Sequence, residues 1–151
     1  MYKNILIPTD GSELSQKAVS HGVSLAKILH ARLTFVAVRK PFHTMGPGAE
    51  PEMVVKMPDE YKSYVHDYLT AESSEHLAVA KTTAERDGLS CETVDVEHDH
   101  IYQGILDTAA QKKCDLIVMA SHGRRGVSAI VLGSETVKVL THSALPVLVY
   151  R

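Results

Sequence analysis

Short apolar runs alternate with longer segments of helical periodicity along the whole chain, and that alternation leaves few folds open. The runs are NILIP at 4–8, RLTFVAV at 32–38, DLIVMA at 115–120 and PVLVY at 146–150. A fifth run, SCETVDVE at 90–97, alternates apolar with polar residues, as a half-exposed edge strand does. Between the runs lie segments with helical spacing. In 13–29 the apolar positions are Leu14, Ala18, Val19, Val23, Leu25, Ala26 and Leu29. Residues 59–86 contain neither Gly nor Pro; their periodic positions are Tyr61, Tyr64, Val65, Tyr68, Leu69, Leu77 and Ala80, with Asp87-Gly88 as the stop signal. Further helices are expected at 101–113 and 135–141. Strand–helix alternation of this kind implies a parallel sheet, joined by right-handed crossovers and covered by helices on both faces. The expected architecture is therefore an α/β three-layer sandwich formed by one domain over residues 1–151.

One stretch breaks the pattern. Residues 39–57 hold Pro41, Gly46, Pro47, Gly48 and Pro51, a density that excludes a continuous helix or central strand. It is long for a connection in such a domain, and two readings stay open: a lid over a ligand, or a variable insertion.

Composition narrows the function classes. With 16 basic and 18 acidic side chains, for a formal charge of −2, there is no electrostatic reason to expect nucleic acid or an anionic membrane as partner. No apolar run approaches the roughly 20 residues of a membrane helix. The start, Met1-Tyr2-Lys3-Asn4, lacks the pattern of a secretory leader. Cys91 and Cys114 show no metal or redox spacing and read as buried free thiols. A cytoplasmic location is the expectation.

In an open parallel sheet, ligands bind outside the carboxyl ends of the strands, where the strand order reverses. Two segments belong there: Pro8-Thr9-Asp10-Gly11-Ser12, in which Gly11 or Ser12 would cap the next helix, and the Gly-rich stretch from Ala120 to Thr136. In the second, Gly123, Gly126 and Gly133 allow close approach of backbone to an anion, Ser134 and Thr136 open a helix, and Arg124 and Arg125 add charge. Neither the G-x-x-x-x-G-K-[ST] phosphate loop nor the G-x-G-x-x-G dinucleotide fingerprint is present. On the residues alone, an anion site and a solvated glycine-rich turn both remain open.

The stretch MASHGRRGVSAIVLGSET resembles the signature of nucleotide-binding universal stress proteins, G-x2-G-x9-G-[ST], here Ala120-x2-Gly123-x9-Gly133-Ser134. The start YKNILIPTDGSE and the end HSALPVLVYR are similar to that family's first and last strands, so the resemblance covers the whole chain. It implies a five-stranded parallel sheet of order 3-2-1-4-5 and an adenine nucleotide, ATP or AMP/ADP, with Mg²⁺ or Mn²⁺ on the phosphates. By position, it puts Pro8, Thr9 and Asp10 beside the adenosine, Val38 on the adenine, and Met119 and Ala120 along base and ribose. His122, Gly123 and Arg124 would begin the phosphate loop, and Gly133, Ser134, Glu135 and Thr136 would hold phosphate. Two departures stand out: Ala120 occupies the signature's first glycine, and His98-Asp99-His100 occupies a turn where relatives often carry glycine and proline.

Nine histidines raise the question of a metal, and His98 with His100 is the one close pair, with no third ligand set by the sequence. His122 has two roles open, contact with phosphate or pinning of its own loop. No Ser-His-Asp arrangement or paired-carboxylate motif points to dedicated catalysis, so turnover is expected to be slow at most. The expected role is a nucleotide-binding regulator of a stress response, against a weak ATPase or phosphotransferase and a nucleotide-free interaction module. The last strand, from Pro146 to Tyr150, is an apolar sheet edge; with the resemblance, it implies a homodimer paired there.

Overall fold

The computed structural model describes residues 1–41, 57–123 and 132–151. Most of the irregular stretch at 39–57, and Arg124 to Gly126 of the glycine-rich stretch, lie outside them. The elements run β1 (Asn4–Pro8), α1 (Glu13–Leu29), β2 (Arg32–Arg39), α2 (Asp59–Arg86), β3 (Cys91–Glu97), α3 (Ile101–Gln111), β4 (Leu116–Ala120), α4 (Ser134–His142) and β5 (Val147–Tyr150). The strands form one sheet of order β3-β2-β1-β4-β5, and every pairing is parallel. The chain builds outward from β1 on one side through β2 and β3, then crosses to the other side through β4 and β5. The switch in direction therefore falls between β1 and β4.

The period-2 geometry of the strands divides the core into two layers. Ile5 and Ile7 of β1 point to the layer shared with α1 and α2, where Val19, Val23, Phe35, Leu77, Ala80 and Val118 are buried. Leu6 points the other way, to Val36, Ile105, Ala109, Ile117, Met119 and Val139 beneath α3 and α4. Close packing of α1 on β1 depends on Gly22, where a Cβ would come within 2.3 Å of the Ile7 Cδ1 methyl.

Local chemistry sets the ends of the helices. Ser12 is the N-cap of α1, its hydroxyl accepting from the Ser15 N–H at 3.2 Å. Gly88 (φ +79°) ends α2 in the left-handed conformation, with its N–H bonded to the Glu85 carbonyl. The helix expected over 101–113 stops at Gln111, because Lys113 takes φ +54° and the Cys114 N–H turns back to the Ala109 carbonyl. The strand expected from Asp115 begins at Leu116. The Asp115 carboxylate instead receives the Lys3 and Asn4 N–H groups, and the buried Asn4 amide donates to the Lys112 and Lys113 carbonyls. This network ties the end of α3 to the start of β1.

The tyrosines of α2 require a correction. Periodicity placed Tyr61, Tyr64 and Tyr68 on the apolar face, yet they are exposed, and the buried stripe is Ser73, Leu77, Ala80 and Ala84. The two sets lie on opposite sides of the helix at 100° per residue. The C-terminal half of α2 packs on the sheet, and its small residues allow the approach.

Candidate functional site

At the carboxyl ends of the strands, over the switch between β1 and β4, lies a groove of about 640 Å³. Twelve of the thirteen residues singled out from the sequence line it: Pro8, Thr9, Asp10, Val38, Met119, Ala120, His122, Gly123, Gly133, Ser134, Glu135 and Thr136. The thirteenth, Arg124, lies outside the described residues.

The wall from β1 is a tight polar turn. The Thr9 hydroxyl pairs with that of Ser15 at 2.8 Å in the interior. One oxygen of Asp10 accepts from both the N–H (3.1 Å) and the hydroxyl (2.6 Å) of Ser12, turning the chain into α1. Gly11 makes the turn possible. Its φ is +76°, and a Cβ there would fall 2.2 Å from the His76 ring of α2.

The wall from β4 is held by two glycines. A Cβ on Gly123 would come 2.3 Å from the other Asp10 oxygen, so the two walls meet only because that side chain is missing. A Cβ on Gly133 would lie 3.0 Å from the His122 backbone, while the Gly133 N–H donates to the Ser121 carbonyl at 2.8 Å. Gly133 thus packs directly against Ser121 and His122. His122 shares a hydrogen bond with the neighbouring Ser121 hydroxyl at 3.2 Å, an interaction within its own loop. Ala120, in place of the signature's first glycine, is the last residue of β4 and has no positive φ, so its methyl is accommodated in ordinary strand geometry.

Three helices start at the border of the groove, and their first turns differ. Ser12 caps α1. At α3, the N-cap His100 contributes no side chain; Glu135 of α4 accepts from the Tyr102 N–H at 3.0 Å instead. At α4, the N-cap is Gly133, and among the described residues no side chain caps the first turn. The Thr136 hydroxyl, buried in that turn, donates to the Ala120 carbonyl at 3.1 Å. What α4 offers the groove is therefore its backbone N–H groups and the exposed Ser134 hydroxyl, at the positive end of a helix dipole.

Sequence reasoning missed the third wall. Leu69, Glu72, Ser73 and His76 of α2 line the groove, as do Arg39 and Lys40 at the end of β2. The spacing of 69, 72, 73 and 76 is one helical face, and its mixture of polar residues beside the buried stripe was the available signal. Arg39 is engaged with Asp95 and Glu97 of β3. His98 and His100 have ring centroids 6.2 Å apart, with His98 Nδ1 accepting from the His100 N–H. Among the described residues no three His, Cys, Asp or Glu side chains converge on a common point. No described helix is long and apolar enough to cross a membrane.

These features define a doubly wound α/β domain with a groove at its switch point, one wall of which is the glycine-capped start of α4. A family model for the universal stress protein family matches residues 1–151, and the chain belongs to that family. Universal stress protein MJ0531 of Methanocaldococcus jannaschii is 32% identical over 151 residues, covering all of this chain and 83% of that protein. The solved structure of MJ0577, from the same organism, superposes with a TM-score of 0.80 at 27% identity, over 99% of this chain and 96% of that one. Two more distant structures share the fold. One is a universal stress protein in complex with cAMP (TM-score 0.68, 20% identity, 99% of this chain and 97% of that one). The other is the Archaeoglobus fulgidus protein in complex with dAMP (0.67, 18%, 99% and 98%).

Proposed function

We propose that this protein binds an adenine nucleotide in the groove and serves as a nucleotide-responsive regulator in a stress response. The observation that carries the reading is the first turn of α4. Among the described residues no side chain caps this helix start on the groove, and the bare Gly123 and Gly133 let the loop ends pack close beside it, against Asp10 and His122. Phosphate is the natural complement of such a turn. Pro8, Thr9 and Asp10 face the adenosine in this reading, Val38 packs on the base, and Met119 and Ala120 line base and ribose. His122, Gly123 and Arg124 begin the phosphate loop; Gly133, Ser134, Glu135 and Thr136 present phosphate with backbone N–H groups and the Ser134 hydroxyl. The cAMP and dAMP held by relatives of the same fold support the adenine assignment. ATP, AMP and ADP all fit the chemistry. A Mg²⁺ or Mn²⁺ ion would be held by phosphate oxygens and water, since the described side chains gather no ligand set of their own.

Calorimetric titration of ATP, AMP and GTP with Mg²⁺, beside a Gly123→Val control, tests this. Saturable ATP binding is expected, with GTP weaker and the control reduced by at least about tenfold, since a valine there meets the Asp10 carboxylate. Absence of binding by all three nucleotides would reject the reading.

We also propose a homodimer paired through β5. Support comes from the position of β5 at a sheet edge and from its apolar sequence, in which Leu148 is 42% exposed.

A further inference from the structure

Glu135 presents a physical puzzle. It is a carboxylate in the first turn of the helix that, in the reading above, receives phosphate. An uncompensated negative charge there would repel the ligand. The structure shows where its oxygens go. Oε2 accepts from the Tyr102 N–H of α3 at 3.0 Å, and Oε1 from the Lys138 ammonium at 3.0 Å. One partner is the positive end of a helix dipole and the other a full cation, so the charge is balanced on both sides. The side chain is one-third exposed, which excludes an exposed, freely rotating carboxylate.

The contact extends beyond one hydrogen bond. Glu135, Lys138 and His142 share one face of α4 at spacings of three and four, and all three meet Tyr102. Glu135 takes its backbone N–H; the Lys138 ammonium sits 5.6 Å from its ring centroid; the His142 ring packs at 5.3 Å. At the start of α3, the N-cap His100 offers no side chain of its own, and the His98 ring is turned to the His100 N–H instead. The cap for α3 is supplied from the neighbouring helix, 33 residues on in sequence.

We propose that Glu135 is a positioning residue. By capping α3 from the first turn of α4, it fixes the direction in which the α4 N–H groups face the groove, and phosphate affinity depends on it without its carboxylate touching phosphate. This rests on the nucleotide reading above. It yields an expectation opposite in sign to simple electrostatics. A bystander carboxylate near phosphate would, when removed, strengthen ATP binding; a positioning carboxylate, when removed, weakens it.

The test compares wild type, Glu135→Ala and Glu135→Gln by calorimetry with ATP and with adenosine, and by amide hydrogen exchange of Tyr102 in the free proteins. Glu135→Ala is expected to weaken ATP about fivefold, the size of one lost helix cap, and to leave adenosine unchanged. It is also expected to speed exchange at Tyr102. Glu135→Gln keeps an oxygen for the Tyr102 N–H and is expected to restore ATP binding to within about twofold, with Tyr102 again protected. This variant also covers the case in which the alanine protein fails to fold. ATP binding that is unchanged or tighter in Glu135→Ala, or an equal loss for adenosine, overturns the role while the nucleotide reading stands. Wild type that binds neither ligand removes both, and Tyr102 exchange that ignores Glu135 removes the cap on which the role depends.

Discussion

The two edges of the sheet are built on opposite principles. At β3 the exposed positions are Glu92, Thr93, Asp95 and Glu97, and three of these are carboxylates with partners. Arg39 engages Asp95 at 3.4 Å and also Glu97, His66 of α2 approaches Glu97 at 3.6 Å, and Lys112 meets Glu92 at 2.7 Å. This edge is charged and tied to its neighbours, the usual protection against strand pairing. At β5 the strand is Val-Leu-Val-Tyr, with Leu148 exposed and Tyr150 stacked on His21 of α1 at 4.3 Å. No ion pair guards it among the described residues. One sheet thus carries an edge built to remain single and an edge open to pairing.

The largest effect should come from breaking this asymmetry at β5. Leu148→Asp places a charge where the proposed dimer would bury it, and sedimentation equilibrium should show dimer affinity falling by about a hundredfold or more. The matching change at the other edge, Thr93→Lys, should leave the mass unchanged. Equal behaviour of the two variants would show that the edges do not differ in this way. Next is Arg39→Met, which leaves Asp95 and Glu97 facing each other along β3 without their shared cation. The Arg39 side chain is 16% exposed, between a surface pair and a buried one, so urea denaturation should show a loss of about 1–2 kcal/mol.

A third comparison sets the β3 edge against the interior with the two free thiols. Cys91, at the start of β3, is partly exposed; Cys114, just before β4, is buried. Burial raises both thiols, and pushes Cys114 up to about 11. At pH ~8, Cys91 should react with a disulfide reagent at least about tenfold faster than Cys114, which should react on unfolding. Because the Cys114 value is raised in the fold, stability is unaffected below the ordinary thiol pKa of 9.0 and falls as pH rises from there through about 11. Cys114→Ala should flatten that alkaline slope. The smallest effect belongs to Lys112→Met. Lys112 holds the Glu92 carboxyl below its ordinary value through a hydrogen bond and its charge. The contribution is present above the ordinary carboxylate pKa and is lost as pH falls through the lowered one. The variant should match wild type in thermal melts at about pH 3 and fall marginally below it at neutral pH.

Much of this architecture was legible because it rests on short-range rules. The bounds of β1, α1 and α2 followed from apolar runs, a capping serine, and the stop at Asp87-Gly88. The half-exposed pattern at 90–97 marked an edge strand before any partner was known. Errors fell where a contact from far along the chain took over. The end of α3 is set by the left-handed Lys113, and the Lys112 and Lys113 carbonyls are taken by Asn4, more than a hundred residues away. The tyrosines of α2 fit helical spacing, but spacing reports a period and not which side meets the sheet.

The groove divides along the same line. Its two loop walls carry glycines, a capping serine and an aspartate in a compact motif, so their residues could be named from sequence order. Its third wall, the face of α2 with His76 against Gly11, comes from packing across 65 residues of chain. By itself the sequence determined the elements, the strand-to-helix alternation and the two turns at the carboxyl ends of the strands, because these depend on neighbours three or four residues apart. The tertiary structure decided which face of α2 is buried, that Gly123 must stay bare beside Asp10, and that Glu135 caps a helix to which it does not belong. Those outcomes depend on which distant groups the closed sheet brings within a few ångströms of one another, and local spacing does not encode that.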